Sequence, residues 1–463
     1  MKNILLLLFC CSFLYSLRAQ NIQGDWYGLL KLPGNSLHLV LHITQTDTGY
    51  SSTLDSPDQD VKGIAASQTS FGNQQLFINL PSISARYKGQ WETNRITGHF
   101  TQGGFDRPLV FLREPIDDRK PQEPRPPFPY RSEDISFPNA AAGIELAGTL
   151  TLPEQPGKYP AVVLITGSGP QNRNEELASH KPFWVIADYL TRQGIAVLRF
   201  DDRGVGKSTG HFATAVSTDF AADVKAAVAY LQSRKEIDQK KIGLIGHSEG
   251  GMIAPMVAAG SKNIRFIILL AGPGIPGDKL LLLQQRLILE AGGTPASIVK
   301  VQQERNAKYI DMVMRAGNLD SLKPALAEVM AKDFTANAKT NDRPDSTLMK
   351  MMLQQAATFA TPWMQYFLRY DPAPALQRVR CAVLALNGGK DLQVPPDPNL
   401  AAIRTALEKA GNKNFTIKEY PNLNHLFQES KTGLPAEYAA IDQTFSPQVM
   451  EDMAVWILAK TKN

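Results

Sequence analysis

Residues 241–259, KIGLIGHSEGGMIAPMVAA, admit few folds. An apolar strand at 242–245 runs into a very tight turn and straight on into a helix of small and apolar residues. The turn holds Gly246-His247-Ser248-Glu249-Gly250, a G-x-S-x-G pattern, with Gly251 behind it. A hydroxyl is a weak nucleophile unless it is held apart and set beside a base. A sharp strand-to-helix turn does the holding, provided the residues two places either side are small enough for strand and helix to meet. The helix also aims its N-terminal N–H groups at the turn. Ser248 is therefore the candidate nucleophile. Gly206-Lys207-Ser208-Thr209-Gly210 matches the same pattern, but it follows its strand only after Asp201-Asp202-Arg203-Gly204, and no small-residue helix starts at Ser208. Ser208 is set aside.

At 463 residues the chain has room for two domains. Residues 1–19 read as a secretory signal peptide: Lys2, an apolar run too short to span a bilayer, then Leu17-Arg18-Ala19. Cys10 and Cys11 lie inside that run without the small residues of a lipoprotein site before them. Cleavage leaves Cys381 as the one cysteine, so no internal disulfide is expected in an exported protein. The net charge of +5 falls to about +3 once Lys2 and Arg18 leave, too small to suggest nucleic acid or a membrane surface as partner. No later segment reaches spanning length, so no integral membrane segment is expected after signal removal.

Residues 20–113 read as an all-β accessory domain. About eight short segments alternate apolar and polar residues, with Gly, Asn, Asp and Pro between them, which predicts a small antiparallel barrel or sandwich. A glycan or surface ligand is a candidate partner for it. His38 and His42 fall on one face of a strand, but two histidines without a third ligand make a poor metal site. Residues 114–132, rich in Pro and charge, read as an extended linker with no core of its own.

From 133 to 463 the pattern is α/β. Strands are expected at 133–137, 144–152, 161–165, 195–200, 242–245, 266–270, 382–386 and 415–420. Near-continuous apolar strands between amphipathic helices predict a mostly parallel sheet covered on both faces, with the site beyond the strands' carboxyl ends. At about 275–372 the rhythm stops and helix formers take over, an insertion suited to a cap. Its methionines, those at 312, 314, 330, 349, 351 and 352 among them, either mould to apolar ligands or simply fill the cap's core.

A serine nucleophile needs a base and the base a carboxylate, in the chain order Ser, acid, His for this architecture. His425 is the one histidine after Ser248, in a loop just past the last strand. Asp391 ends Asn387-Gly388-Gly389-Lys390-Asp391, where a buried strand runs into a turn; Asp397 is the reserve. Asp201 and Asp202 read as turn residues pairing with Arg203. The oxyanion needs two N–H donors. Glu249 supplies one from its backbone, and Ser168, with Gly167 next, supplies the other from the loop after strand 161–165.

Four motifs in order, the Ser248 turn, Asp201 to Ser208, Asn387 to Asp391 and Asn424-His425, resemble the α/β-hydrolase superfamily, in its bacterial carboxylesterase or serine-aminopeptidase-like branch. The resemblance covers roughly 133–463. It implies an α/β-hydrolase fold with an eight-stranded sheet and a helical cap, preceded by the β domain, no cofactor or metal, and hydrolysis of a small-molecule ester through an acyl-enzyme. The superfamily's usual His-Gly before the oxyanion loop is replaced by Thr166-Gly167. A peptidase of the same fold and a non-catalytic binding protein are the alternatives.

Overall fold

The structure is a computed structural model. It describes residues 21–32, 35–59, 61–117, 119–337 and 346–462 in two compact units that divide between Asp118 and Arg119. The expected signal peptide, with Cys10 and Cys11, lies outside the described residues.

The first unit has strands β1 (Gly24–Leu32), β2 (Asn35–Thr46), β3 (Gly49–Ser56), β4 (Val61–Ala65), β5 (Gln68–Gly72), β6 (Gln75–Leu80), β7 (Ala85–Glu92), β8 (Arg95–Gln102) and β9 (Phe105–Leu112). Pairing runs β2-β1-β9-β8-β7-β6-β5-β3, and β2 pairs with β3 again, so eight antiparallel strands close into a barrel with β4 beside β5 on β3. The β2–β3 pairing that closes the ring decides barrel over sandwich. Sequence reading missed β5, QTSFG, which has too few apolar positions for its period of two to show. The inward residues, Trp26, Leu41, Ile78, Tyr87 and Phe111 among them, form a packed core. Arg113 stacks on Trp26 at 3.7 Å and donates to the carbonyls of Gln23 and Asn21, tying the last strand to the first.

The barrel's histidines face outward and meet carboxylates. His42 lies between Asp25 (2.7 Å) and Asp55 (3.2 Å). Partial burial opposes its charge, but the two carboxylates outweigh it and raise the imidazole above its ordinary value. A raised folded value means the contribution is complete below about pH 6.5 and lost as pH climbs through the folded value. The melting-temperature gap between wild type and His42→Ala should therefore shrink from pH 6 to pH 9. A gap that stays constant would rule out a charged His42.

The second unit's strands are β10 (Tyr130–Asn139), β11 (Ile144–Pro153), β12 (Tyr159–Ile165), β13 (Ala196–Phe200), β14 (Ile237–His247), β15 (Phe266–Leu270), β16 (Ala382–Gly388) and β17 (Phe415–Tyr420). Their order is β10-β11-β13-β12-β14-β15-β16-β17, parallel from β13 onward, with β11 antiparallel to both its neighbours. Alternate residues of β12 enter opposite cores: Val163 and Ile165 face one, Val162 and Leu164 the other. Helices α2 (Ser217–Ser233), α3 (Glu249–Ala258) and α10 (Pro396–Lys409) cover the first core, and α1 (Pro182–Arg192) and α11 (Pro447–Thr461) the second.

Between β15 and β16 stand α4 (Gly277–Ala291), α5 (Ala296–Arg315), α6 (Leu319–Asn337), α7 (Ser346–Phe359) and α8 (Pro362–Arg369), followed by the single turn α9 (Ala373–Leu376). The helices from α5 to α8 share a core of their own, which holds Met330 and Met352 and packs Met312, Met314 and Met349 at its margin. Met351 is exposed. These methionines build the cap; Met364, from α8, is the one beside Ser248 in a cavity.

The expected linker also behaves differently. Lys120 donates to the carbonyls of Ala439 and Ile441, Gln122 accepts from the backbone of Thr444 and Phe445, and Glu123 is buried against Lys181. Paired side chains thus bind residues 120–123 to the α/β unit.

Candidate active site

The strand order reverses at β12, so the loops leaving β12 and β14 emerge side by side. Register aligns them: Ile165 pairs with Gly246, and His247 with Leu270. One residue on, Ser248 sits at φ +52°, ψ −117°, a conformation that costs a non-glycine residue about 1–3 kcal/mol. Its N–H donates to the Leu270 carbonyl at 2.9 Å, and its carbonyl accepts from Gly251 N–H at 2.9 Å. The flanking glycines are there for close approach. A Cβ on Gly246 would meet the Gly250 carbonyl at 2.0 Å, and one on Gly250 the Ile165 carbonyl at 2.1 Å.

The loops that carry the candidate acid and base are locked together. Backbone N–H groups of Gly389 and Lys390 donate to Tyr420 and Leu423 carbonyls, and a Cβ on Gly388 would lie 2.2 Å from the latter. Asp391 Oδ1 accepts from the N–H groups of Gln393 and Val394, both at 2.8 Å, while Oδ2 faces His425 Nδ1 at 2.8 Å. Both residues are buried. Asn424 Oδ1 accepts from Leu426 and Gln428 and so holds the His425 loop in shape. The structure brings Asp391 and His425 into contact, but among the described residues no hydrogen bond joins Ser248 Oγ to His425. Such contacts are often long in free enzymes and tighten around substrate. The His425 ring lies 4.8 Å from that of His247, the residue before the serine, and His425 O accepts from His247 Nε2 at 2.9 Å. Asp397 is exposed on α10, away from this contact.

Glu249 opens α3, where a helix's first N–H groups lack intrahelical partners. Ser168 lines the cavity beside Ser248 and Glu249. Gly167, the other candidate donor, gives its N–H to Glu175 Oε1 at 2.6 Å, so that hydrogen is already engaged.

Ser208, set aside above, is structural: its hydroxyl accepts from Ala147 N–H and donates to the Asp201 carbonyl. The expected pairing at the Asp201-Asp202 turn needs correction. Asp201 pairs with Arg173 rather than Arg203, at 2.8 Å, and Asp202 accepts from Thr166 Oγ1 and Gln171 N–H. Arg203 pairs instead with Asp223. The reason is chain direction: the loop after β12 folds back over the Asp201-Asp202 turn, bringing Arg173 to it. Cys381 is inert, its thiol pushed up to about 12 by burial.

Two features escaped sequence reading. The Glu249 side chain, treated above only through its backbone, is buried; it accepts from Ser217 Oγ at 2.6 Å and from Trp363 Nε1 on α8 at 2.9 Å. Burial raises its carboxyl above the ordinary value despite those donors. Glu175, 72 positions from its partner, faces His247 Nδ1 at 3.0 Å. Neither contact leaves a local signal in the sequence.

The cavity over Ser248 measures about 80 Å³ and is walled by Leu280, Leu281, Trp363, Met364 and Phe367 of the cap. Among the described residues no cluster of His, Cys, Asp and Glu is arranged to hold a metal, and no helix is long and apolar enough to cross a membrane.

Residues 181–431 match the family model described as serine aminopeptidase, S33. The chain belongs to the S33 serine aminopeptidase family. This S33 chain has the α/β-hydrolase fold and falls with esterase relatives. Esterase EstD of Thermotoga maritima is 26% identical over 315 residues, a match covering 68% of this chain and 65% of EstD. The S33 chain therefore spans just under two thirds of that relative. A solved esterase structure from Pyrococcus furiosus superposes with a TM-score of 0.41 at 16% identity, over 71% of this chain and 92% of the other.

Proposed function

We propose that the protein is an exported serine esterase acting on small carboxylic esters. Ser248 Oγ attacks the ester carbonyl as His425 Nε2 takes its proton, and Asp391 holds the imidazole in the tautomer that leaves Nε2 free. The oxyanion accepts from the N–H groups of Glu249 and Ser168, Gly167 being occupied. Collapse expels the alkoxide, protonated by His425, and leaves an acyl-enzyme. Water activated by the same imidazole then releases the acid. One observation carries the reading: the buried Asp391–His425 hydrogen bond beside a serine strained at the tip of a strand-to-helix turn. The residues at 1–19 favour a periplasmic or extracellular location.

The family description suggests a peptidase as the second reading. An aminopeptidase must hold a substrate ammonium, and Glu249 is the one carboxylate among the cavity-lining residues. Both its oxygens already accept from Trp363, and one from Ser217 as well. That favours esters. The cavity is about half the roughly 150 Å³ that holds benzene, so acyl groups of two to four carbons are preferred. Turnover of p-nitrophenyl acetate or butyrate should exceed that of the octanoate and of aminoacyl nitroanilides at least tenfold. Trp363→Ala should shift the balance toward octanoate. A wild type faster on nitroanilides would make it a peptidase.

A further inference from the structure

Beside the Asp391–His425 pair stands a second buried carboxylate and imidazole, which no step above uses. Glu175 and His247 are both buried. Glu175 Oε1 accepts from Gly167 N–H at 2.6 Å and faces His247 Nδ1 at 3.0 Å. His247 Nε2 lies 2.9 Å from the backbone oxygen of His425. A carbonyl can only accept, so Nε2 carries a hydrogen. The Glu175 carboxylate accepts from Nδ1, which makes His247 a donor on both sides. Burial alone would lower this imidazole, but the carboxylate outweighs it and the net direction is upward, in keeping with that arrangement. Glu175 itself sits at φ +51°, where a non-glycine residue is strained, so the surrounding loop holds it there.

The pair touches each of the elements that must meet for catalysis. Glu175 grips the β12 loop at the residue before Ser168. His247 belongs to the nucleophile turn, and its ring reaches the loop that carries His425. Gly167 also lies tight against the nucleophile: a Cβ there would stand 3.3 Å from Ser248 Cβ. We infer that Glu175 is a positioning residue which, with His247, clamps the Gly167-Ser168 loop against the nucleophile turn and the His425 backbone, so that the second oxyanion donor is preset before substrate arrives. The inference rests on the esterase reading above. A clamp of this kind acts on the transition state rather than on ground-state binding, because the loop's donor is called on only as charge develops on the carbonyl oxygen.

The test is a kinetic series on the full chain with p-nitrophenyl butyrate and, in parallel, the rate of covalent labelling by a fluorophosphonate, whose adduct forms through a similarly charged oxygen. Glu175→Gln can keep one oxygen on both donors, as Oε1 is now, but it removes the charge that makes His247 a donor on both sides. A neutral imidazole must then give up its link to residue 175 or to the His425 carbonyl, and kcat should fall about tenfold. Glu175→Leu keeps bulk without an acceptor, and kcat should fall about a hundredfold, the loss typical of an oxyanion donor. In both, KM should stay within threefold, the labelling rate should drop in step with kcat, and the melting temperature should stay within a few degrees of wild type for Glu175→Gln. If Glu175→Leu does not fold, Glu175→Gln decides alone. Wild-type kcat in Glu175→Gln, or a loss carried by KM, overturns the clamp. Labelling and turnover that survive Ser248→Ala would overturn the Ser248 mechanism on which the reading above is built, whatever Glu175 does.

Discussion

Ser248→Ala should reduce ester turnover by about 10⁴- to 10⁶-fold and leave the fold intact. In the proposed mechanism the nucleophile is the one group whose chemistry no neighbour replaces, and what remains is the residual effect of oxyanion donors and binding. The substitution is structurally mild. Among the described residues the Ser248 hydroxyl has no hydrogen-bond partner, so its removal orphans nothing, and the backbone bonds to Leu270 and Gly251 that hold the turn stay in place. Alanine must still adopt φ +52°, but serine already bears that strain. The measurement is kcat with p-nitrophenyl butyrate together with a thermal melt. Turnover within tenfold of wild type would place the nucleophile elsewhere, and Ser208 could not take over, since its hydroxyl is committed between Ala147 and Asp201.

Asp391→Asn should cost about 10⁴-fold in kcat with little change in stability. The reasoning is in the hydrogen-bond directions. Asp391 accepts on both oxygens, from Gln393 and Val394 on one side and from His425 on the other. A carboxamide has one acceptor and one donor. Turned to keep the two backbone N–H groups satisfied, it offers its NH₂ to His425 Nδ1, which must then accept. The hydrogen moves to Nε2, and the imidazole can no longer take the serine proton. Turned the other way, it points NH₂ at two N–H donors, a buried mismatch costing roughly 1–3 kcal/mol. The first arrangement should win, giving a folded and nearly inactive enzyme. A loss of kcat below about tenfold would mean that Asp391 does not set the tautomer.

Much of the architecture was legible because it rests on local period and on punctuation. The central strands of the α/β unit are short apolar runs, most of them between helices, and the cap announced itself by a break in that rhythm. Ser248, Asp391 and His425 stood out because each ends or follows a strand, where chain order leaves few choices. What misled was pairing between residues distant in sequence. Asp201 next to Arg203 looked like a local ion pair, yet Arg173 arrives from a loop across the turn and takes Asp201, while Arg203 turns to Asp223. The Pro-rich stretch looked free because proline and charge leave no apolar periodicity; its Lys120 and Gln122 nevertheless satisfy carbonyls and N–H groups of the segment 439–445.

By itself the sequence determined where the chain turns, which strands are buried, and that a serine sits on a turn too tight for side chains at 246 and 250. Those are consequences of residue size, period and backbone reach, all read within a few positions. Only the tertiary structure decided that Glu175 spends its carboxylate on Gly167 and His247, and that Glu249 reaches Trp363 of the cap. A buried acid takes whichever donor the fold brings to it, and that choice is made by packing across the sheet's carboxyl edge, which no local pattern encodes.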